Sequence, residues 1–335
     1  MNKFSKFCLA LNKYTDIKPI IYLSPSTGYR ARCEFGVNRK SYTMIKNGKK
    51  IYLDSSSIPH TSIQKIMPIL IRKITESELM NKKLFQINFR TSGSEIMTSL
   101  IYHKHLSKNW EVEATAIQNT FTNVSIIGRS KNQKVLIGKE ELSVRFNQNN
   151  LNFEILQNDL VFFQPNYYLY PHMIKFIYKR IIKPKDLLEL YSGCGGFTLA
   201  LSNIFKKVFA TENNRHAINL LNKSIHLNDL SNIQTARLSD DETALALNND
   251  RPFRRLKNID LQTYNFSHLL VDPPRAGLSD QTIEISKSFE NIIYISCNPI
   301  TFLRDINKLN REIKSIGLFD QFSNTDHLEI IAILR

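Results

Sequence analysis

A chain of 335 residues with 42% hydrophobic content is long enough for two domains with real cores and argues against a disordered chain. Its longest apolar runs fall far short of the roughly 20 residues a membrane-spanning helix needs, and Phe7-Cys8-Leu9-Ala10-Leu11 is too short for the core of a secretion signal; a cytoplasmic protein with no membrane partner is expected. The formal charge of +15 favours a polyanionic partner such as nucleic acid, discounted because Lys, Asn and Ile crowd the whole chain. Cys8, Cys33, Cys194 and Cys297 lie far apart without metal-ligand spacing, so free thiols are expected, with no metal and no iron–sulfur cluster.

The first half reads as an α+β domain of hairpins. Tyr29 to Phe35 alternates, which puts Arg30, Arg32 and Glu34 on one strand face and Ala31, Cys33 and Phe35 on the other. The arginine face could hold phosphates or simply be the wet side of a sheet. Asn47-Gly48 between two apolar runs signals a two-residue hairpin turn. Ile63, Ile66, Met67, Leu70, Ile71 and Ile74 recur at helical spacing and predict a helix from Ser62 to Lys82, with Pro68 as a kink. Strands are expected from Lys83 to Phe89 and from Glu95 to His103, where periodicity makes Phe85 a core residue beside Ile87 and Phe89. A helix from Asn109 to Thr122 and a hairpin of Val124–Arg129 with Lys134–Ile137 complete the domain.

Near Phe162-Phe163-Gln164-Pro165-Asn166 the pattern changes to alternating strands and helices, so the domains are placed at 1–165 and 166–335. Leu187 to Tyr191 is a strand, Ser192-Gly193-Cys194-Gly195-Gly196 a glycine-rich turn, and Phe197 to Phe205 a helix. The next strand, Val208 to Thr211, ends in Glu212. A glycine turn passes close under a ligand, and an acidic residue at the second strand tip is where a ribose diol is held in such sheets. Neither a Gly-x-x-x-x-Gly-Lys-Ser/Thr motif nor a full dinucleotide fingerprint is present. An adenosine-bearing cofactor without a pyrophosphate fits best, which points to S-adenosylmethionine. Further strands end at Asp272, followed by Pro273-Pro274-Arg275, and at Cys297, followed by Asn298-Pro299. A helix from Thr301 to Ile313 and an apolar stretch, Ile316 to Phe322, precede a closing strand, Ile330 to Leu334, opened by Asp326-His327-Leu328-Glu329. The run Asn291 to Ser296 suits a strand buried in a parallel sheet, delivering the Cys297 thiol to the ligand-binding edge.

Taken jointly and in order, Phe163-Gln164-Pro165-Asn166, the Glu189-Leu190-Tyr191 glycine turn, Asp272-Pro273-Pro274-Arg275, Ser296-Cys297-Asn298-Pro299 and His327-Leu328-Glu329 resemble the RNA (uracil-5-)-methyltransferase family. Tyr29-Arg30-x-Arg32-x-Glu34-Phe35, Leu84-Phe85-Gln86-Ile87, Tyr102-His103-Lys104 and Ile127-Gly128-Arg129 resemble its bacterial tRNA branch, so the resemblance covers nearly the whole chain. It implies a Rossmann-like S-adenosylmethionine-dependent methyltransferase domain behind an N-terminal α+β RNA-binding domain. It further implies methylation of carbon 5 of uridine 54 in the T-loop of tRNA, with tmRNA as a further substrate, by a monomer that binds the T-arm and elbow. Cys297 is then the nucleophile and Glu329 the base. Gln164, Tyr191, Gly196, Glu212 and Asp272 line the cofactor site, and Arg30, Phe85, His103 and Arg275 contact RNA, Phe85 against its own periodicity. Gly196 departs from the family, which has an asparagine there that contacts the cofactor.

This chemistry needs these groups. Carbon 5 of uracil is a poor nucleophile, and a thiolate adding to carbon 6 turns it into an enolate carbon. A free thiol titrates near about 8.5, so the nucleophile needs help, for which Arg275 is a candidate. The alternatives are a ribosomal-RNA uracil-5-methyltransferase, an exocyclic-amino methyltransferase, in which a strand-tip cysteine has no task, and a non-enzymatic tRNA-binding or folding factor.

Overall fold

The computed structural model describes residues 2–46, 48–148, 151–323 and 325–335, without the side chain of Gln148. The chain forms two compact units. One comprises Met1–Ser24, Arg145–Ile155 and Val161–Arg335; the other comprises Pro25–Val144 and Leu156–Leu160. The expected single cut at 165/166 is therefore not how the chain divides. The opening helix α1 (Lys3–Leu11) and strand β1 (Ile20–Tyr22) belong with the C-terminal half, because β1 pairs in parallel with a strand near the C-terminus, Tyr22 opposite Phe319. Phe7 and Leu11 are buried in the same core as Tyr294 and Phe302.

The Pro25–Val144 unit is a seven-stranded sheet with helices. In chain order come β2 (Arg32–Asn38), β3 (Ser41–Lys46), β4 (Lys49–Leu53), α2 (Thr61–Glu76), α3 (Glu78–Asn81), β5 (Leu84–Thr91), β6 (Ile96–Tyr102), α4 (Lys108–Gln118), β7 (Val124–Ser130) and β8 (Gln133–Ile137), in sheet order β4-β3-β2-β5-β6-β7-β8. The apolar stripe of α2 packs on this sheet as expected, with Ile63, Met67, Leu70 and Ile74 fully buried. The helix stops at Glu76 rather than Lys82: Ser77 is extended, and its hydroxyl accepts from Met80 N–H to cap α3. At the expected hairpin, Lys46 pairs with Lys49 and Gly48 has φ +73°, while Asn47 lies outside the described residues. The alternation from Tyr29 to Phe35 is observed, with Ala31, Cys33 and Phe35 buried and Glu34 exposed.

Phe85 is not in the core. Leu84 pairs with Tyr102 and Gln86 with Ile101, so Phe85 is the extra residue of a β-bulge; Leu84 takes the buried place, and Phe85 is 50% exposed. Strict alternation cannot anticipate a bulge.

A two-stranded sheet of β9 (Leu142–Gln148) and β10 (Leu151–Gln157) follows. The rest of the chain builds α5 (Tyr170–Tyr178), β11 (Asp186–Leu190), α6 (Gly196–Leu201), β12 (Lys207–Thr211), α7 (Arg215–Leu227), β13 (Ile233–Ala236), α8 (Asp240–Leu247), β14 (Phe266–Val271), α9 (Asp280–Ser286), β15 (Asn291–Ser296), α10 (Pro299–Leu309), β16 (Ile313–Phe319) and β17 (Glu329–Leu334). The expected helix from Thr301 to Ile313 ends at Leu309, because Asn310 turns left-handed at φ +48°. The eight-stranded sheet runs β1-β16-β17-β15-β14-β11-β12-β13, and β11 to β15 are mutually parallel. β11, β15 and β17 are buried at every residue, as strands covered on both faces must be. Strand order reverses at β11, flanked by β14 and β12, so ligands belong outside the carboxyl ends of these strands.

Candidate active site

The parallel strands deliver their next residues to one edge: Tyr191 after β11, Glu212 after β12, Asp272 after β14 and Cys297 after β15. β17 runs the other way. Its register against β15, Ser296 opposite Ile330, places its first residue, Glu329, across from Cys297. A strand start and a strand end thus meet. All five residues line one cavity of about 580 Å³, together with Gln164, Gly196 and Arg275.

The turn after β11 is tightly wound. Tyr191, Gly193 and Gly195 all have positive φ, and a Cβ on Gly195 would run into the Leu221 side chain. Glu212 closes the turn from the next strand. Its Oε2 accepts from Gly193 N–H at 2.9 Å and its Oε1 from Asn214 N–H at 2.7 Å, so the carboxylate is held in one orientation by the turn it faces. The Tyr191 hydroxyl donates to Asp240 Oδ2 at 2.6 Å, which also accepts from Ser279 and Thr282. Gln164 is buried; its Oε1 accepts from Gln321 Nε2 at 3.3 Å, leaving the amide NH₂ as the group it can present to the cavity. Sequence reasoning did not find Asp240 or Gln321, since neither sits in a motif and both act through a residue that does.

Gly196 is crowded rather than open. A Cβ there would stand 3.0 Å from Phe163 Cε2 and 3.2 Å from the Tyr170 hydroxyl, which donates to Gly196 O at 2.7 Å. Aromatic side chains thus fill the space beside the glycine, and only backbone is left at this position to meet a ligand.

The electrostatics of this strand edge are those of a buried acidic cluster. Burial raises Asp272. Burial and then the charge of Asp272 hold Glu329 well above the usual carboxylate range, with Arg275 pulling the other way. Burial, followed by the charges of Glu329 and Asp272, pushes the Cys297 thiol up to about 11. Arg275 acts in the expected direction on Cys297 but is outweighed, so it is not by itself the help the thiol needs. Arg275 is exposed, with its guanidinium 3.3 Å from His327 Nδ1.

In the Pro25–Val144 unit the structure brings Phe85 and His103 together, ring centroids 4.8 Å apart and both exposed. Arg30 is half-buried and its Nε donates to Arg32 O at 2.9 Å. Beside His103, Lys104, His105, Lys131 and Asn132 line an open groove. Arg129, singled out in Ile127-Gly128-Arg129, instead makes a two-pronged ion pair with the nearly buried Asp159.

The residues present fit S-adenosylmethionine. Glu212 can accept from ribose hydroxyls, Gln164 and Asp272 offer polar contacts, and Ser192, in the cavity wall, has a buried hydroxyl with no partner among the described residues. Sheet order, glycine turn and acidic second strand tip are those of the Rossmann-like S-adenosylmethionine-dependent methyltransferases, and this chain is one. The family model described as tRNA (Uracil-5-)-methyltransferase matches residues 1–335. The chain belongs to that family. It is 38% identical over 324 residues to the tRNA/tmRNA (uracil-C(5))-methyltransferase of a Nitratiruptor species, covering 95% of this chain and 89% of the relative. It is 39% identical to the protein of the same name from Campylobacter lari, covering 94% and 92%. Among solved structures it is similar to the Pyrococcus abyssi tRNA (uracil-54, C5)-methyltransferase in complex with S-adenosyl-L-homocysteine, with a TM-score of 0.77 at 21% identity, over 99% of this chain and 83% of that one.

Proposed function

We propose that this protein methylates carbon 5 of uridine 54 in the T-loop of tRNA, and of the corresponding loop of tmRNA, through a covalent adduct on Cys297. The observation that carries the reading is the meeting of Cys297 with Glu329 in the cavity that Glu212, Gln164 and Tyr191 also line. The curated relatives carry names for uracil-C(5) methylation of tRNA and tmRNA, which supports this substrate class.

S-adenosylmethionine, when bound, supplies the methyl group as an electrophile, held by Glu212, Gln164, Tyr191 and Asp272. The Cys297 thiolate adds to carbon 6, forming the S–C6 bond and moving the C5=C6 pair into an enolate. Carbon 5 then takes the methyl group, whose bond to the donor's sulfonium sulfur would break with the electron pair left on that sulfur. Glu329 removes the carbon-5 proton; the electron pair of that C–H bond re-forms C5=C6, and the C6–S bond breaks to return the thiolate. The raised affinity of Glu329 for a proton suits this step, since a base tuned toward neutral pH is stronger than an ordinary carboxylate. The target base must leave its stack to reach a cavity at the strand ends, and the exposed Phe85–His103 pair offers aromatic surface for stacking an unpaired base. The test is methyl transfer from labelled cofactor to an unmodified tRNA transcript, followed by nucleoside mapping. 5-Methyluridine at position 54 is expected; a methylated adenine, a ribosomal uridine as the preferred target, or no transfer contradicts the reading.

A further inference from the structure

Lys3 stands at the start of α1, more than 300 residues before Glu329, yet its ammonium is spent on the chain that leads into Glu329. Its side chain is only 10% exposed. Nζ lies 2.5 Å from Asp320 Oδ1, 3.0 Å from Phe322 O and 2.9 Å from His327 O. A lysine ammonium has three N–H donors, and these three acceptors match them. All three belong to the connection between β16, which ends at Phe319, and β17, which begins at Glu329.

That connection carries several groups of the site. Gln321 binds the Gln164 amide, Phe322 lines the cavity, and His327 lies against Arg275. Asp320 is tied further, its Oδ2 accepting from Ser323 and its N–H donating to Tyr22 O at 2.9 Å. Two of the Lys3 bonds are to backbone carbonyls, so they hold the main chain at Phe322 and at His327. The helix that holds Lys3 is anchored: Phe7 and Leu11 sit in the core, with the Phe7 ring 5.9 Å from that of Phe302. Lys3 therefore pins a loop to a rigid element, which is what a precise constellation requires of its supporting groups.

We infer that Lys3 is a positioning residue for Glu329 and so governs the proton-removal step of the methyl-transfer cycle, an inference that rests on the function proposed above. A misplacement of about 1 Å can cost roughly 100-fold in rate. Lys3→Met keeps the stem and removes the donors. Its multiple-turnover rate should fall by roughly 10- to 100-fold, its affinity for cofactor should fall by a smaller factor, and it should accumulate tRNA covalently joined to protein, seen as a shifted, nuclease-sensitive band on a denaturing gel. Lys3→Arg should restore much of the rate, and Asp320→Asn should trap the same band more weakly. The experiment uses full-length protein, tRNA transcript and labelled cofactor, with melting curves in parallel. Product release by Lys3→Met at the wild-type rate overturns the inference, as does a loss that tracks a lowered melting temperature with no trapped adduct. A wild-type protein that transfers no methyl group to tRNA overturns the functional reading itself, and the role of Lys3 with it.

Discussion

At the scale of single residues, the site is defined by two opposed demands on charge. In the proposed reaction Cys297 and Glu329 act in their ionised forms, yet burial and the charge of Asp272, joined at Cys297 by that of Glu329, raise both, and Arg275 is the cation that works against this. Activity per free enzyme should therefore rise with pH through neutrality. Removing the cation in Arg275→Met should move the acid limb of kcat/KM to higher pH, measured in single-turnover methyl transfer across a pH series; an unmoved limb would show that Arg275 does not tune the pair. Glu212 makes a separable contribution. Glu212→Ala should weaken cofactor binding by roughly 1.5–3 kcal/mol, the range for hydrogen bonds to a charged group, and leave tRNA affinity unchanged, as calorimetry with each ligand would show. Equal cofactor affinity in variant and wild type would remove Glu212 from the site. Tyr191, Glu212, Asp272 and Cys297 were legible because each directly follows a recognisable strand. Gln321, Asp240 and Lys3 were not, because they reach the site only through tertiary contacts, and nothing in local sequence marks a side chain that supports another.

At the scale of elements, β11 carries a buried liability. Glu189 sits at 1% exposure inside this central strand, with one carboxylate oxygen lacking a partner among the described residues, and burial, with smaller contributions from Asp272 and Glu212, raises it to about 8. Its folded value lies above that of the unfolded chain, so the folded state binds more protons between the two. The stability it contributes is complete below the ordinary carboxylate range and is lost as pH rises toward about 8. Glu189→Gln should thus gain in melting temperature over the wild type as pH is raised from about 5 to about 8; a constant difference would show that Glu189 is already ionised in the fold. In the other unit, Asp159 accepts from Arg129 and Ser99. Burial alone would raise its carboxyl, but the Arg129 hydrogen bond and charge leave it lowered. Asp159→Ala should cost roughly 1.5–3 kcal/mol in urea unfolding, the range for charge-assisted hydrogen bonds, and no loss would mean that the pair contributes nothing net. Helices and buried strands were legible from periodicity. The bulge that expels Phe85 and the break at Ser77 were not, since each is a local departure from the period on which the reading depends.

At the scale of the whole molecule, the fold class was readable because alternating strands and helices with a glycine turn admit few architectures. The division into units was not. The chain contributes α1 and β1 to one unit, builds the other, and re-enters the first at Arg145, so no single point in the sequence separates them. This topology lets Lys3, near one chain end, hold the connection that leads into Glu329 near the other, with β17 entering antiparallel so that Glu329 arrives beside Cys297. Whether that meeting is the catalytic event is tested most directly by Cys297→Ala, assayed with labelled cofactor and an unmodified tRNA transcript. The expected result is no 5-methyluridine, with cofactor and tRNA affinities within about two-fold of wild type, because the thiol forms a bond in the reaction and adds little to ground-state binding. Formation of 5-methyluridine by Cys297→Ala at the wild-type rate would contradict covalent catalysis by this residue.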